Sequence, residues 1–285
     1  MDQADRLRAL AATNTGGAGC RIISVTSGKG GVGKTNIAVN LATLFARRGL
    51  KTLLLDADIG LGNANLLLGL QPERTMEDVL FGSSPVESVF MPTPYGFTLL
   101  PGSSGIRKLL ELDNFSQRAV FDRLFEAMKG FEVVVYDTAP GIGNWVLNFN
   151  AAAHDIVVVA HPDPMALADA YALMKVLSLE RREKKFRLLI NRSKHAQEGL
   201  DAFRHISDVT DEYLNVSVDY MGSLPEDPWV LKSVCKRVPI VAEAPKSPFS
   251  LGLDRLADKL LAQTGGGSAV KTWNNVGVRP DLRGA

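Results

Sequence analysis

The chain has 285 residues, of which 46% are hydrophobic and 22% charged, and its formal net charge is +1. This balance provides no global field for nucleic acid or an anionic membrane, so any such binding needs a local patch. Cys20 and Cys235 stand far apart without CxxC spacing, which argues against a zinc or cluster site and indicates reduced thiols. A charged N-terminus and the lack of an apolar run of about 18 residues predict a soluble, cytoplasmic protein.

Three segments are predicted along the chain. Residues 1–20 begin with a short, polar, helix-compatible piece and continue as a flexible TNTGGAG stretch. Residues 21–262 alternate between strand-like and helix-like patterns, which indicates one domain. Residues 263–285 lack periodicity, which is typical of a mobile tail.

Seven apolar runs predict strands buried on both faces. In chain order they are RIISVTS, KTLLLDAD, GFTLLPG, FEVVVYD, DIVVVAHP, FRLLINR and VDYMGSLP. Apolar residues on one face after Thr35 predict a helix that ends near Gly49, and SQRAVFDRLFEAMKG and PMALADAYALMKVLSLE predict two more. The alternation predicts an α/β fold with a single, doubly wound, mostly parallel sheet flanked by helices.

A glycine-rich loop lies between the first predicted strand and helix. Its octet GKGGVGKT fits the pattern G-x-x-x-x-G-K-[ST], and glycines let backbone N–H groups converge on phosphate oxygens at a helix N-terminus. Lys34 is expected to reach the β- and γ-phosphates of a nucleotide, and the Thr35 hydroxyl to ligate Mg²⁺. The predicted phosphate-binding residues are Gly28, Lys29, Gly30, Gly31, Val32, Gly33, Lys34, Thr35 and Asn36.

Carboxylates follow two other predicted strands. Asp56 and Asp58 lie at the end of the second strand, and Asp137 lies at the end of VVVYD. Ligands of open α/β sheets bind outside these ends, and Mg²⁺ prefers such oxygen ligands. A strand-end aspartate can also simply form a turn or cap a helix.

The motifs KGGVGKT, DADIGLGN and DTAPGIG resemble those of the MinD/ParA family of deviant-Walker-A ATPases, and the resemblance covers about residues 21–262. It implies a Mg²⁺-dependent ATPase of low turnover that binds ATP and ADP and forms an ATP-dependent homodimer. Lys29 would cross the dimer interface to touch the phosphates held by the other subunit. A cation supplied in trans in this way is worth about 10³–10⁵ in rate.

Further roles are implied by the same resemblance. Asp58 would position or activate the attacking water. Asp56, through switch I, and Asp137, through switch II, would join Thr35 in holding Mg²⁺. Asn63 would belong to switch I at the dimer face.

The resemblance also assigns an adenine site to Asn191, Pro225 and Asp227. The sequence has no N/T-K-x-D run that would favour guanine. Without the resemblance, Asn191 and Pro225 could equally be ordinary loop residues.

The segments GKTNIAVNLA, DPMALADAYALMKVL and MDQADRLR resemble the flagellar-number regulators of this family (FlhG, also called FleN). Those regulators use a DQAxxLR element to activate FlhF, a GTPase of the signal-recognition-particle type. The implied partner-binding residues are Asp2, Gln3, Ala4, Leu7 and Arg8. The Gln3 amide could orient the partner's hydrolytic water. The alternative is a frayed N-terminus in which Asp2 caps a helix.

On this reading the chain is a switch for flagellar number and placement. A partner would recruit it to the cell pole or the inner membrane surface, and flagellar switch (C-ring) proteins or a flagellar transcription regulator are further partner candidates. Three alternatives stay open: a cell-division-site ATPase like MinD, a DNA-partitioning ATPase like ParA, and a nucleotide-dependent scaffold with negligible hydrolysis.

Two charged segments argue against other binding functions. The basic cluster at residues 181–187 is predicted to be a solvated turn, so nucleic-acid binding is not expected. In SLGLDRLADKLL, acidic residues offset the basic ones, so the cationic face of a lipid-binding helix is missing. Autonomous membrane binding is therefore not expected. The four histidines show no metal-ligand spacing and are predicted to be surface or turn residues.

Overall fold

The computed structural model describes residues 20–58, 62–80, 84–102 and 114–262. The predicted N-terminal partner-binding element and the predicted C-terminal tail lie outside the described residues. The bounds of the three predicted segments therefore stay a prediction.

The described part of the chain forms one eight-stranded sheet. The strands are β1 (Arg21–Thr26), β2 (Thr52–Ala57), β3 (Met91–Pro92), β4 (Thr98–Leu100), β5 (Val133–Thr138), β6 (Asp155–Ala160), β7 (Lys185–Ser193) and β8 (Ser217–Pro225). Their order across the sheet is β3-β4-β2-β5-β1-β6-β7-β8, and all pairings are parallel except that of β3 with β4. All seven predicted strands are present. The prediction of burial on both faces is wrong for β8, in which only Met221 and Leu224 are buried, because it lies at the edge of the sheet. The two-residue strand β3 was not predicted, because so short a segment carries no periodic pattern.

Helices lie between the strands and after β8. They are α1 (Lys34–Arg47), α2 (Ala64–Leu67), α3 (Met76–Leu80), α4 (Asn114–Met128), α5 (Asn144–Ala152), α6 (Pro164–Arg181), α7 (Ala196–Tyr213), α8 (Pro228–Lys236), α9 (Ile240–Glu243) and α10 (Pro248–Ala262), with a 3₁₀ helix at Val86–Val89. Helices α1, α4 and α6 confirm the three predicted ones. Within the described ranges, no helix is both long enough and apolar enough to span a membrane.

The sheet separates two hydrophobic cores. Ile22 points into the core formed with α4, α5, α6 and α7, whereas its neighbour Ile23 points into the core formed with α1, α9 and α10. Helix α10 buries Leu253, Leu256 and Leu260 in the second core. The fold is therefore the doubly wound α/β sheet that the sequence predicts.

Strand β1 lies at the centre of the sheet, between β5 and β6. The chain continues from β1 to β2 on one side and later crosses to β6 on the other, so the strand order reverses at β1. In open α/β sheets, ligands bind at the carboxyl ends of the strands at such a reversal. The glycine-rich loop directly follows β1 and therefore occupies this position.

The basic cluster at residues 181–187 is not simply a solvated turn, so that prediction is wrong for two of its members. The Arg181 side chain is 9% exposed, and its Nε donates to Asn148 Oδ1 at 3.2 Å. The Arg187 side chain is 12% exposed and pairs with the buried Asp155. Both arginines lie where a helix ends or a strand begins, and their partners are more than 30 residues earlier in the chain.

Candidate functional site

The glycine-rich loop joins β1 to α1 in a backbone conformation that favours glycine. Gly31 and Gly33 have φ of 81° and 96°, in the left-handed region that L side chains rarely adopt. The Ser27 hydroxyl donates to the carbonyl oxygen of Lys29 at 2.6 Å and fixes the start of the loop. Helix α1 begins at Lys34, so the N–H groups of its first turn lack helical acceptors and form an anion site at the loop.

Two loop glycines also permit close packing against other elements. A Cβ atom on Gly28 would lie 2.0 Å from the backbone oxygen of Asp169 in α6. A Cβ atom on Gly33 would lie 2.6 Å from Asn191 Nδ2, at the end of β7. The loop is therefore held between α6 and β7 by contacts that only glycine allows.

The side chain of Lys34 points into the protein and not into solvent. The residue is 7% exposed, and this burial lowers the pKa of its ammonium group, whereas the nearby Asp137 and Asp58 carboxylates favour the charged form. Lys34 is therefore a cation placed beside carboxylates at the base of the loop.

Asp56 and Asp137 are direct neighbours across β2 and β5. Asp56 accepts the backbone N–H groups of Asp58 at 3.2 Å and of Ala64 at 3.0 Å. Burial raises the pKa of Asp56 to about 6 in spite of these bonds. A Cβ atom on Gly62 would lie 2.9 Å from Asp56 Oδ2, so the chain packs tightly around this carboxylate.

Asp137 is fully buried, and neither carboxylate oxygen has a hydrogen-bond partner in the part of the chain that the structure describes. Burial raises the pKa of Asp137 well above its usual range, and the neighbouring Asp56 raises it further. The Thr35 hydroxyl and Lys34 oppose this rise, although the hydroxyl does not reach hydrogen-bond geometry. Unpaired buried carboxylate oxygens beside a hydroxyl group fit the hard-oxygen ligand set of Mg²⁺.

The remaining predicted catalytic and switch residues lie at the rim. Lys29 is exposed on the loop and makes no ion pair with any described residue. Asp58 is half-buried and close enough to Lys34 to influence its pKa. Asn63 is exposed and precedes α2, where its carbonyl accepts N–H groups of the first turn.

A cavity of about 650 Å³ lies beside the loop and contains the predicted adenine residues. Asn191 Nδ2 donates to the Val32 carbonyl at 2.7 Å, which ties the end of β7 to the loop. Asp227 caps α8 by accepting the N–H of Trp229 at 2.9 Å. The structure thus brings Asn191, Pro225 and Asp227 next to Gly31, Val32, Gly33 and Asn36.

Several residues around this site were not predicted from the sequence. Val230, Leu231 and Phe249 give the cavity an apolar wall, and they come from α8 and α10, far along the chain from the loop. His161 follows β6, and its buried Nε2 has no partner among the described residues. Burial, followed by Arg192, lowers the pKa of His161. The prediction of a surface or turn histidine therefore misses its place beside the loop.

A buried lysine in a glycine-rich turn between a parallel strand and a helix, with carboxylates at the ends of neighbouring strands, defines a P-loop nucleotide-binding protein. The sequence matches the family model described as "AAA domain" over residues 20–190. Antiactivator FleN of Pseudomonas aeruginosa is 38% identical over 240 residues, which cover 84% of this chain and 86% of that protein. Flagellum site-determining protein YlxH of Helicobacter pylori is 30% identical over 244 residues, which cover 85% of this chain and 82% of that protein.

The solved structure of the cell division ATPase MinD of Pyrococcus furiosus matches with a TM-score of 0.72 at 26% identity, covering 85% of this chain and 98% of that one. The chain therefore belongs to the MinD/ParA family of P-loop ATPases. Within the family it is similar to an antiactivator and to a flagellum site-determining protein.

Proposed function

We propose that the chain is an ATP-dependent dimerising switch that regulates flagellar number and placement. The observation that carries this proposal is the contrast between the two lysines of the loop. Lys34 is buried beside carboxylates, whereas Lys29 is exposed and has no ion pair within the described ranges. Because one cation already lies inside the loop, the outer one is available to the phosphates of a second copy.

The positions of the site residues support the following proposed roles. Lys34 and the N–H groups of the loop would bind the phosphates of ATP, and the half-buried Asp58 would orient the attacking water. Thr35, Asp56 and Asp137 would hold Mg²⁺, which neutralises phosphate charge when it is bound. This arrangement would give a Mg²⁺-dependent ATPase of low turnover.

The adenine base would lie in the 650 Å³ cavity against Asn191, Pro225 and Asp227. The Asn191 amide is already tied to the loop and to the backbone N–H of Arg192. The Asp227 carboxylate is engaged as a helix cap, so its segment would contribute shape more than a free hydrogen-bonding group.

Exposed apolar side chains support a second copy at this edge of the sheet. Leu66, Ile142 and Met165 are 57%, 52% and 68% exposed, and they lie on segments that follow β2, β5 and β6. Apolar residues gathered around a polar site are typical of an interaction surface. Asn63 would belong to the same surface.

The proposed partner is a GTPase of the FlhF type, bound through Asp2, Gln3, Ala4, Leu7 and Arg8. Similarity to FleN and YlxH supports the flagellar assignment. Flagellar switch proteins or a transcription regulator are further candidates. Helix α10 buries its apolar face in the core, which supports recruitment of a cytoplasmic protein by a partner and not autonomous membrane binding.

Substitution of Lys29 tests the proposal. We expect Lys29→Ala to keep much of its ATP binding and to lose at least about 10³ in hydrolysis rate, because the missing cation acts only on the partner's phosphates. Lys129→Ala is the control, because Lys129 is an exposed lysine in the turn that follows α4. Wild-type phosphate release by Lys29→Ala would contradict the proposal.

A mixture of two inactive variants separates action in trans from action within one subunit. In a dimer of Lys29→Ala with Asp58→Ala, one of the two sites combines an intact Asp58 with the Lys29 of the other copy. A one-to-one mixture should therefore recover roughly a quarter of the wild-type rate, since half of the dimers are mixed and each has one complete site. No recovery in a mixture shown to contain mixed dimers would mean that Lys29 acts within its own subunit.

A further inference from the structure

A second polar cavity lies at the opposite edge of the sheet from the glycine-rich loop. Its volume is about 300 Å³, and it is formed where β1, β6, β7 and β8 begin. The residues that line it are Arg21, His154, Asp155, Ile156, Lys185, Arg187 and Asp219. The ATPase site described above uses none of them.

Two arginines in this cavity share one carboxylate. Arg21 Nε donates to Asp155 Oδ2 at 2.7 Å, and Arg187 Nη2 pairs with Asp155 Oδ1 at 2.5 Å. All three side chains are largely buried: Arg21 is 11% exposed, Arg187 is 12% exposed and Asp155 is 6% exposed. Two buried guanidinium groups per carboxylate leave an excess positive charge, which is costly away from water unless an anion balances it.

Each of the two arginines also has a buried nitrogen atom without a hydrogen-bond partner among the described residues. The Nη1 atoms of Arg21 and Arg187 are both buried, and neither has a hydrogen-bond partner among the residues that the structure describes. Buried N–H groups of this kind are normally satisfied. Lys185 adds an exposed ammonium group at the rim, and Asp219, also exposed, opposes it. The charged side chains around the cavity, three cations and two carboxylates, therefore sum to +1.

We propose that this cavity binds the phosphoryl group of a small soluble molecule. Arginine presents a planar fork of N–H donors that matches phosphate oxygens, and Lys185 supplies a flexible point charge at the entrance. The bonds to Asp155 use Nε of Arg21 and Nη2 of Arg187, so among the described residues the Nη1 atom of each arginine is a donor left over for a phosphate oxygen. The volume falls at the lower end of the range of roughly 300–1,000 Å³ for small-molecule sites, which suits a phosphate group on a small organic body.

Calorimetric titration of the full chain with inorganic phosphate tests this site. The glycine-rich loop is first saturated with a non-hydrolysable ATP analogue and Mg²⁺, so that added phosphate cannot bind there. We expect one equivalent of phosphate to bind. Lys185→Gln should weaken this binding about tenfold, as loss of a charge-assisted hydrogen bond does.

Lys184→Gln is the matched control, because Lys184 is the preceding residue and its Nζ donates instead to Ser178 Oγ at 3.3 Å. It should bind phosphate as the wild type does. Arg187→Lys, which keeps the charge and removes the fork, should also weaken binding. The proposal is overturned if phosphate up to about 10 mM gives no saturable binding, a range that covers weak specific sites. Equal losses in Lys184→Gln and Lys185→Gln would overturn it as well.

A flotation assay with phosphatidylglycerol vesicles distinguishes the source of the phosphoryl group. We expect no capture of the protein by vesicles under conditions in which inorganic phosphate binds. Capture that is lost in Lys185→Gln and competed by inorganic phosphate would assign the site to lipid headgroups and overturn the soluble source.

Discussion

We expect the charge of Asp137 to lower the free energy of unfolding of the nucleotide-free protein. Its carboxylate is fully buried, both oxygens lack partners in the described part of the chain, and Asp56 is its neighbour across the sheet. Asp137→Asn keeps the shape of the side chain and removes the charge. We therefore expect this variant to be more stable than the wild type when nucleotide and Mg²⁺ are absent.

The magnitude follows from the burial of an unbalanced charge. A buried charge without a partner costs about 3–5 kcal/mol. The nearby Lys34 offsets part of this cost and loses a carboxylate partner in the variant, so we expect a gain of at most about 3 kcal/mol. For a chain of this size that gain corresponds to a rise in Tm of roughly 6–12 °C. The side-chain amide of the new asparagine also needs hydrogen-bond partners, so we expect a rise in Tm in the lower part of this range.

The sign of the pH dependence is fixed by the direction of the pKa shift. Burial raises the pKa of Asp137 in the folded protein, so the folded state binds the proton more tightly than the unfolded state does. The contribution of Asp137 to stability is therefore greatest below the pKa that this residue has in the unfolded chain. It falls as pH rises toward the pKa that Asp137 has in the folded protein. The advantage of Asp137→Asn should be small at about pH 4, near the ordinary pKa of an aspartate, and should grow as pH rises above it.

Urea unfolding in EDTA at several pH values measures this difference. Asp211→Asn, on the exposed surface of α7, is the control and should change the free energy of unfolding by less than about 0.5 kcal/mol. With an ATP analogue and Mg²⁺ added, the wild type should gain more stability than Asp137→Asn, which would lack one of the proposed metal ligands. If Asp137→Asn is less stable than the wild type throughout the pH range, the carboxylate is structural and the reasoning fails.

Three further outcomes are expected. Asp58→Ala should lower turnover by about 10²–10⁴, as loss of a water-positioning group does, and should leave a long-lived ATP-bound dimer in light scattering; a variant that stays monomeric with ATP would count against the switch. Deletion of residues 2–8 should abolish stimulation of an FlhF-type GTPase without changing this protein's own ATPase rate, and unchanged stimulation would remove the partner assignment. Gly28→Ala should lower the free energy of unfolding by at least about 2 kcal/mol, because its Cβ would overlap the Asp169 backbone, whereas Gly143→Ala meets no atom within 4 Å and should be nearly neutral.

The fold could be predicted where burial leaves a pattern in the sequence. Strands such as β2 and β5 are buried along their whole length, and continuous apolar runs predict such strands. Helix α5 gave no helical pattern, because eight of its residues, Trp145 to Ala152, are buried and it has almost no polar face. Strand β3 exists only through its pairing of Met91 with Leu99, which the local sequence does not specify.

The candidate site likewise contains residues that could be predicted from the sequence and residues that could not. The loop and the strand-end carboxylates could be predicted, because local motifs and a parallel sheet are enough to bring Lys34, Asp56 and Asp137 together. The apolar wall of the cavity could not, since Leu231 and Phe249 reach the loop only through the packing of α8 and α10. Burial of the basic cluster depends likewise on partners from other strands.

The buried Asp137 carboxylate and the exposed Lys29 ammonium group can both be explained by the proposed function. Among the described residues, the buried Asp137 carboxylate lies beside Asp56 without a hydrogen-bond partner, and the exposed Lys29 of the loop has no ion pair. If the proposed function is correct, Mg²⁺ and ATP relieve the first imbalance, and a second copy relieves the second. Bound ATP would supply the phosphates that Lys29 of a second copy contacts, and that Lys29 would in turn stabilise the bound ATP. Nucleotide binding and dimerisation must then strengthen each other by the same free energy. A protein with the acidic pair already neutralised, such as Asp137→Asn, should therefore be both more stable alone and less able to use ATP to pair.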